Sequence, residues 1–153
     1  MDLFNACHAI NDFILAGNEV AARDELIKLL DYIKQNRLEH SPLINHLIRE
    51  VGLFPYMDPS TASWQDRYVF EAFKSDVGEE KPVTLHREQS RLLNSLLSGK
   101  SIAVSAPTSF GKSFVIDSFI SIKKPSNVVI LVPTIALILF SYDSFVEESR
   151  VVR

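Results

Sequence analysis

The run Ala106-Pro107-Thr108-Ser109-Phe110-Gly111-Lys112-Ser113 constrains this chain more than any other stretch. It has the spacing of a phosphate-binding loop that closes on Gly-Lys-Ser. Such a loop needs a strand before it and a helix after it. That junction aims backbone N–H groups and the positive end of the helix at one point. The flanks fit: residues 101–105 read as a strand, and residues 112 to about 122 read as a helix. Gly111 lets the backbone approach a phosphate where a side chain would collide. Lys112 is expected to reach the β- and γ-phosphates, and the Ser113 hydroxyl to bind Mg2+. Pro107, Thr108, Ser109, Phe110 and Gly111 complete the expected nucleotide-binding set. Ala106 stands where the pattern usually begins with glycine, and its small side chain suits the exit from the strand. A chance Gly-Lys-Ser at a helix start is the plain alternative, and the flanking pattern counts against it.

The rest of the second half alternates in kind. A helix over 85–98, with Leu85, Leu92, Leu93, Leu96 and Leu97, ends at Gly99, a fitting helix terminator. After the loop and its helix, residues 123–127 form a turn and residues 128–132 a strand. Pro133-Thr134 then opens a helix over about 135–149. Strand-helix-strand-helix order with apolar strands suits a parallel sheet covered on both faces. Two strands make a poor open sheet, so its other strands are expected in a longer natural chain.

The first 80 residues read as helices. Residues 2–16 carry Leu3, Phe4, Cys7, Ile10, Phe13 and Ile14 near a 3.6-residue period. Asn18 is placed to cap a helix over 19–36, whose apolar face is Val20, Leu26, Leu29, Leu30 and Ile33. Ser41-Pro42 opens a third helix, with serine as cap and proline in the first turn, and it ends near Gly52. Residues 55–61, with two prolines, read as a turn region. Trp64, Tyr68, Phe70 and Phe73 line a fourth helix over about 62–75. Gly78-Glu79-Glu80-Lys81-Pro82 has no apolar period and reads as a linker. The expected organisation is a helical domain over 1–80, followed over 81–153 by the start of an α/β domain.

Composition excludes several classes. With 153 residues the chain is too short for a nucleic-acid motor with two ATPase lobes. A formal net charge of -3 gives no bulk attraction to nucleic acid, so any such contact is local. The single cysteine, Cys7, rules out an intrachain disulfide and a zinc cluster, and it reads as a small buried hydrophobe. The amino terminus lacks the basic start of a signal peptide, and no apolar run spans a membrane. A cytoplasmic location is the expectation. Asp117, Asp143, Glu147 and Glu148 read as solvent faces of helices rather than a metal site. Nucleotide binding is therefore better supported than hydrolysis, and this stretch alone is expected to be inactive.

Three segments together resemble superfamily 2 helicases. They are Leu85-His86-Arg87-Glu88-Gln89, the loop Ala106 to Ser113, and Val132-Pro133-Thr134-Ile135-Ala136-Leu137. The resemblance covers about residues 84–140, and its specificity lies in the order and spacing of the three. It implies a RecA-like ATP-binding lobe, incomplete in this chain, with ATP and Mg2+ as cofactors. It also implies that Gln89 reads the adenine edge, since an amide donates one hydrogen bond and accepts another. Leu85 and His86 would then pack on or near the base. Pro133 and Thr134 would touch nucleic-acid phosphates, although Ile135 stands where many relatives have arginine. The family's acidic Asp-Glu box, its Ser-Ala-Thr motif and its second lobe lie in no stretch of this sequence.

The Pro-Thr-Ser-Phe-Gly-Lys-Ser wording behind a helical extension is similar to large bacterial defence helicases, Hachiman-type helicase–nuclease pairs among them. That likeness implies DNA rather than RNA as substrate, and residues 1–80 as an accessory domain that docks a nuclease subunit or packs on the motor. The aromatic residues Trp64, Tyr68 and Phe73 have a plainer reading as filling of the helical core. Two other readings stay open: a nucleotide-binding, partner-docking module without turnover, and a P-loop ATPase of another class. An acidic box downstream of a further strand would favour the helicase.

Overall fold

The computed structural model describes residues 2–76, 81–107, 110–129 and 131. They fall into two compact units. The first runs to Ser75 and includes Thr84–Ser90; the second takes Asp76–Val83 and the residues from Arg91 onward.

Four helices build the first unit: α1 (Leu3–Leu15), α2 (Glu19–Gln35), α3 (Pro42–Val51) and α4 (Trp64–Ala72). Each start is held by a side chain. Asp2 accepts from the N–H groups of Phe4 and Asn5, Asn18 from Ala21, Ser41 from Ile44 and Ser63 from Asp66. These contacts satisfy donors that the first turn leaves unpaired. A 3-10 turn, Phe54–Tyr56, follows α3. The core is one cluster: Cys7 and Ile10 of α1, Leu26, Leu29 and Ile33 of α2, Ile44, Leu47 and Ile48 of α3, then Leu53, Phe54 and Met57. Val69, Phe70 and Phe73 pack against its edge, and the Phe73 ring lies 4.0 Å from that of Phe54. Burial pushes the Cys7 thiol up, as expected of a cysteine that serves as packing.

Two expectations about the helical core are corrected. Val20 is 72% exposed, and Ala22 takes the inward place. The 4-3-4 spacing of Ala22, Leu26, Leu29 and Ile33 defines the buried stripe, and Val20 lies on the opposite face. Trp64 and Tyr68, at 74% and 73% exposed, do not fill the core. The phase of α4 is set instead by Asp66, whose side chain is only 3% exposed. Its Oδ2 accepts from the Ser63 hydroxyl at 2.6 Å and its Oδ1 from Arg49 Nη1 at 3.2 Å. With Asp66 turned inward, Val69, Phe70 and Phe73 follow it, and the two larger aromatics face out. Asn45, fully buried in α3, ties the loop before α4 in place. Its Oδ1 accepts from the Asp58 N–H at 2.9 Å, and its Nδ2 donates to Thr61 Oγ1 at 3.0 Å.

A two-stranded sheet, β1 (Lys74–Ser75) with β2 (Val83–Thr84), flanks the expected linker. Strands of two residues carry no alternation that a sequence pattern would reveal. Next comes α5 (Arg87–Leu97), which starts in the first unit and continues in the second. It ends as expected at Gly99: the Gly99 N–H donates to Leu96 O and the Lys100 N–H to Ser95 O, the paired bonds of a Schellman motif.

In the second unit, α6 (Lys112–Lys123) follows the glycine loop and buries Val115 and Ser118. The strands expected over 101–105 and 128–132 are a correction: among the described residues neither pairs in a sheet. Ile102, Val104, Val128, Val129 and Leu131, the side chains that a sheet would cover, are exposed. A parallel strand is satisfied only by neighbouring strands, and none is present among the described residues. The helix expected over 135–149 lies outside them. No helix of the described residues is long and apolar enough to cross a membrane.

Candidate nucleotide site

The glycine loop meets α6 through a tight turn. The Phe110 N–H donates to Pro107 O at 3.1 Å, and Gly111 follows with φ +77. That left-handed backbone is open to glycine at no steric cost. Gly111 is the cap residue of α6, and no side-chain hydrogen bond caps the helix there. Gly111 has no side chain to cap the helix, and the first turn of α6 stands at the positive end of the helix. Ser113 lies exposed in that turn.

Lys112 closes the loop on itself. Its Nζ donates to Ala106 O at 2.6 Å and to Pro107 O at 2.8 Å. An ammonium has three donors, so these bonds occupy two and place the charge over the mouth of the turn. Of the sequence-predicted phosphate contacts, Pro107, Phe110, Gly111, Lys112 and Ser113 come together here. Thr108 and Ser109 lie outside the described residues, as do Pro133 and Thr134. Among the described residues no cluster of three or more His, Cys, Asp or Glu side chains is placed to hold a metal ion.

Leu85, His86 and Gln89 belong to the first unit. Leu85 is 1% exposed, and its N–H donates to Phe73 O at 3.1 Å. His86 is half-buried. Burial first, then the charge of Arg23, holds its imidazole below the ordinary histidine range. Its ring lies 5.7 Å from that of Tyr56. Gln89 is 9% exposed and sits at the third position of α5. Its Oε1 accepts from the His86 N–H at 3.1 Å, the return half of a capping box.

Arg87, between them, is a residue that sequence reasoning passed over. Its Nη1 donates to Glu50 O at 3.0 Å and its Nη2 to Arg49 O at 2.6 Å. A surface arginine at a helix start is too common to signal such a contact. The usable clue was Gly52, since a glycine ending a helix leaves room for another segment to approach. A separate cavity of about 360 Å3 in the first unit is lined by His46, Arg49, Ser63 and Asp66, among others. Its carboxylate is already engaged by Ser63 and Arg49.

Comparison with known proteins adds to this geometry. Residues 86–151 match the DEAD/DEAH box helicase family, and residues 1–67 match the Anti-bacteriophage protein B N-terminal domain. Anti-bacteriophage protein B of Escherichia coli (strain K12) is 32% identical over 139 residues, which cover 88% of this chain and 18% of that protein. The chain therefore spans less than a fifth of that relative's length. No solved structure matches. The likeness expected from the three segments is borne out: the chain joins a stretch similar to the amino-terminal domain of an anti-bacteriophage protein to one that matches the DEAD/DEAH box helicases.

Proposed function

We propose that this chain is the amino-terminal part of an ATP-dependent nucleic-acid helicase or translocase of bacterial antiviral defence. One observation carries the reading: the Gly111-Lys112-Ser113 turn leads an uncapped helix and holds the Lys112 ammonium across two carbonyls of its own loop. The helicase-family match starting at His86 supports it, and the name of the Escherichia coli relative supports the defence role.

The residues present fit a nucleoside triphosphate. The uncapped first turn of α6 offers N–H donors to the phosphates, and Gly111 lets them come close. Lys112 would exchange the Ala106 and Pro107 carbonyls for phosphate oxygens, a stronger pairing because both partners are then charged. The Ser113 hydroxyl would be a ligand for a Mg2+ ion bound with the phosphates. When bound, ATP with Mg2+ supplies the free energy of phosphoanhydride hydrolysis. Gln89 reads adenine, with Leu85 and His86 beside it. Pro133 and Thr134 would contact nucleic acid, DNA rather than RNA, and the helical unit would hold a nuclease subunit.

The test is calorimetric binding of Mg-ATP to the natural full-length protein beside its Lys112→Ala variant. Loss of the ammonium is expected to weaken binding about 10–100-fold. Equal affinity in the two proteins places the nucleotide elsewhere and overturns the reading.

A further inference from the structure

The segment that carries Gln89 is fastened to the helical unit by backbone hydrogen bonds from Leu85 and Arg87 and by the Arg87 side chain. Arg87 sends its guanidinium fork onto the last turn of α3, with Nη2 on Arg49 O at 2.6 Å and Nη1 on Glu50 O at 3.0 Å. Those carbonyls lie at the negative end of a helix, and Arg49 O also accepts from the Gly52 N–H at 3.1 Å. The Arg87 backbone N–H donates to Gly52 O at 3.1 Å, and its guanidinium lies 5.7 Å over the Phe54 ring. Gly52 makes the approach possible. A Cβ built there would stand 2.8 Å from Arg87 Cβ and 3.0 Å from Arg87 Nε.

The contacts form an unbroken series. The α3 carbonyls hold Arg87. Arg87 and Leu85, the latter bonded to Phe73 O, fix the backbone on both sides of His86. The His86 N–H is a donor that Gln89 Oε1 accepts, so the position of that N–H bears on where the amide lies. We infer that Arg87 is a positioning residue for base recognition: its grip on the end of α3 sets the orientation of the Gln89 amide and makes selectivity for adenine nucleotides depend on the helical unit. This rests on the reading of Gln89 as the adenine contact.

The experiment measures affinities of the natural full-length protein for Mg-ATP, Mg-GTP and inorganic triphosphate. The proteins are wild type, Gln89→Ala, Arg87→Ala, Arg87→Lys and Gly52→Ala, each checked for folding by thermal melting. Wild type is expected to prefer ATP. Arg87→Ala and Gly52→Ala are expected to lose about tenfold in ATP affinity, with GTP and triphosphate affinities held. Arg87→Lys falls between, since one ammonium keeps the charge and loses the fork. If Arg87→Ala does not fold, Arg87→Lys and Gly52→Ala carry the same comparison. A wild-type ATP preference that Gln89→Ala abolishes while the Arg87 and Gly52 variants keep it overturns the inference alone. No preference in wild type, or one that survives Gln89→Ala, overturns the adenine reading and the inference with it.

Discussion

Arg37 and Gly52 occupy the same kind of backbone position with opposite chemistry. Both follow a helix and both have positive φ, +53 for Arg37 and +81 for Gly52. A side chain in that region costs roughly 1 kcal/mol, which glycine avoids. Arg37→Gly is therefore expected to stabilise the first unit by about 0.5–1 kcal/mol, read as a rise in melting temperature. Gly52→Ala runs the other way and costs about 2 kcal/mol, because strain adds to the close approach of Arg87. His86 makes a residue-level prediction in pH. Its pKa is depressed in the folded chain, so below the ordinary value the unfolded chain binds a proton that the folded one does not. Its contribution is full above about pH 6.5 and is lost as pH falls through the lowered value. Replacing it by Gln is expected to reduce the difference between melting temperatures at pH 7 and pH 5; an unchanged difference would assign the slope to other groups.

Elements were the most legible scale. The caps at Asn18 and Ser41 and the ending at Gly99 were readable because each depends on local chemistry that one residue type supplies. The phase of α4 was not readable, because it depends on a partner 17 residues away, Arg49. Aromatic residues at helical spacing read as core by size alone, yet a buried carboxylate with its own cap and cation outweighed them. Burial works against ionising Asp66, but hydrogen bonds from Ser63 and Arg49 and the charges of His46 and Arg49 outweigh it and hold the carboxyl below its ordinary range. Its stabilisation is present above the ordinary carboxylate value and is lost as pH falls through the lowered one. Asp66→Asn is expected to cost about 2–3 kcal/mol near neutrality, shrinking towards pH 3. Denaturant melts at the two pH values check this, and an equal cost at both would remove the charge from the explanation.

At the scale of the whole molecule, the helix after Gly111 was readable because a glycine and the residues behind it mark its start locally. The attachment of Thr84–Ser90 to the first unit was not, because it joins segments nearly 40 residues apart through backbone carbonyls that any sequence possesses. A fragment ending at residue 76 loses Leu85 from its interior and the Arg87 grip on α3. A fragment ending at residue 90 keeps both. The longer fragment is expected to be more stable by about 2–4 kcal/mol, from the burial of one leucine and the charged hydrogen bonds. Equal stability in urea would show that the segment contributes nothing to this fold.

The Gly52–Arg87 approach also sets a rule for inheritance. The two residues lie on opposite sides of the stretch 77–83, so a crossover between related genes within that stretch separates them. An exchange there brings an arginine from one parent against whatever the other parent carries at position 52. Any side chain at that position meets Arg87 within 3 Å. Recombinants that survive should keep the pair from a single parent, so the heritable unit of the helical part extends through Ser90.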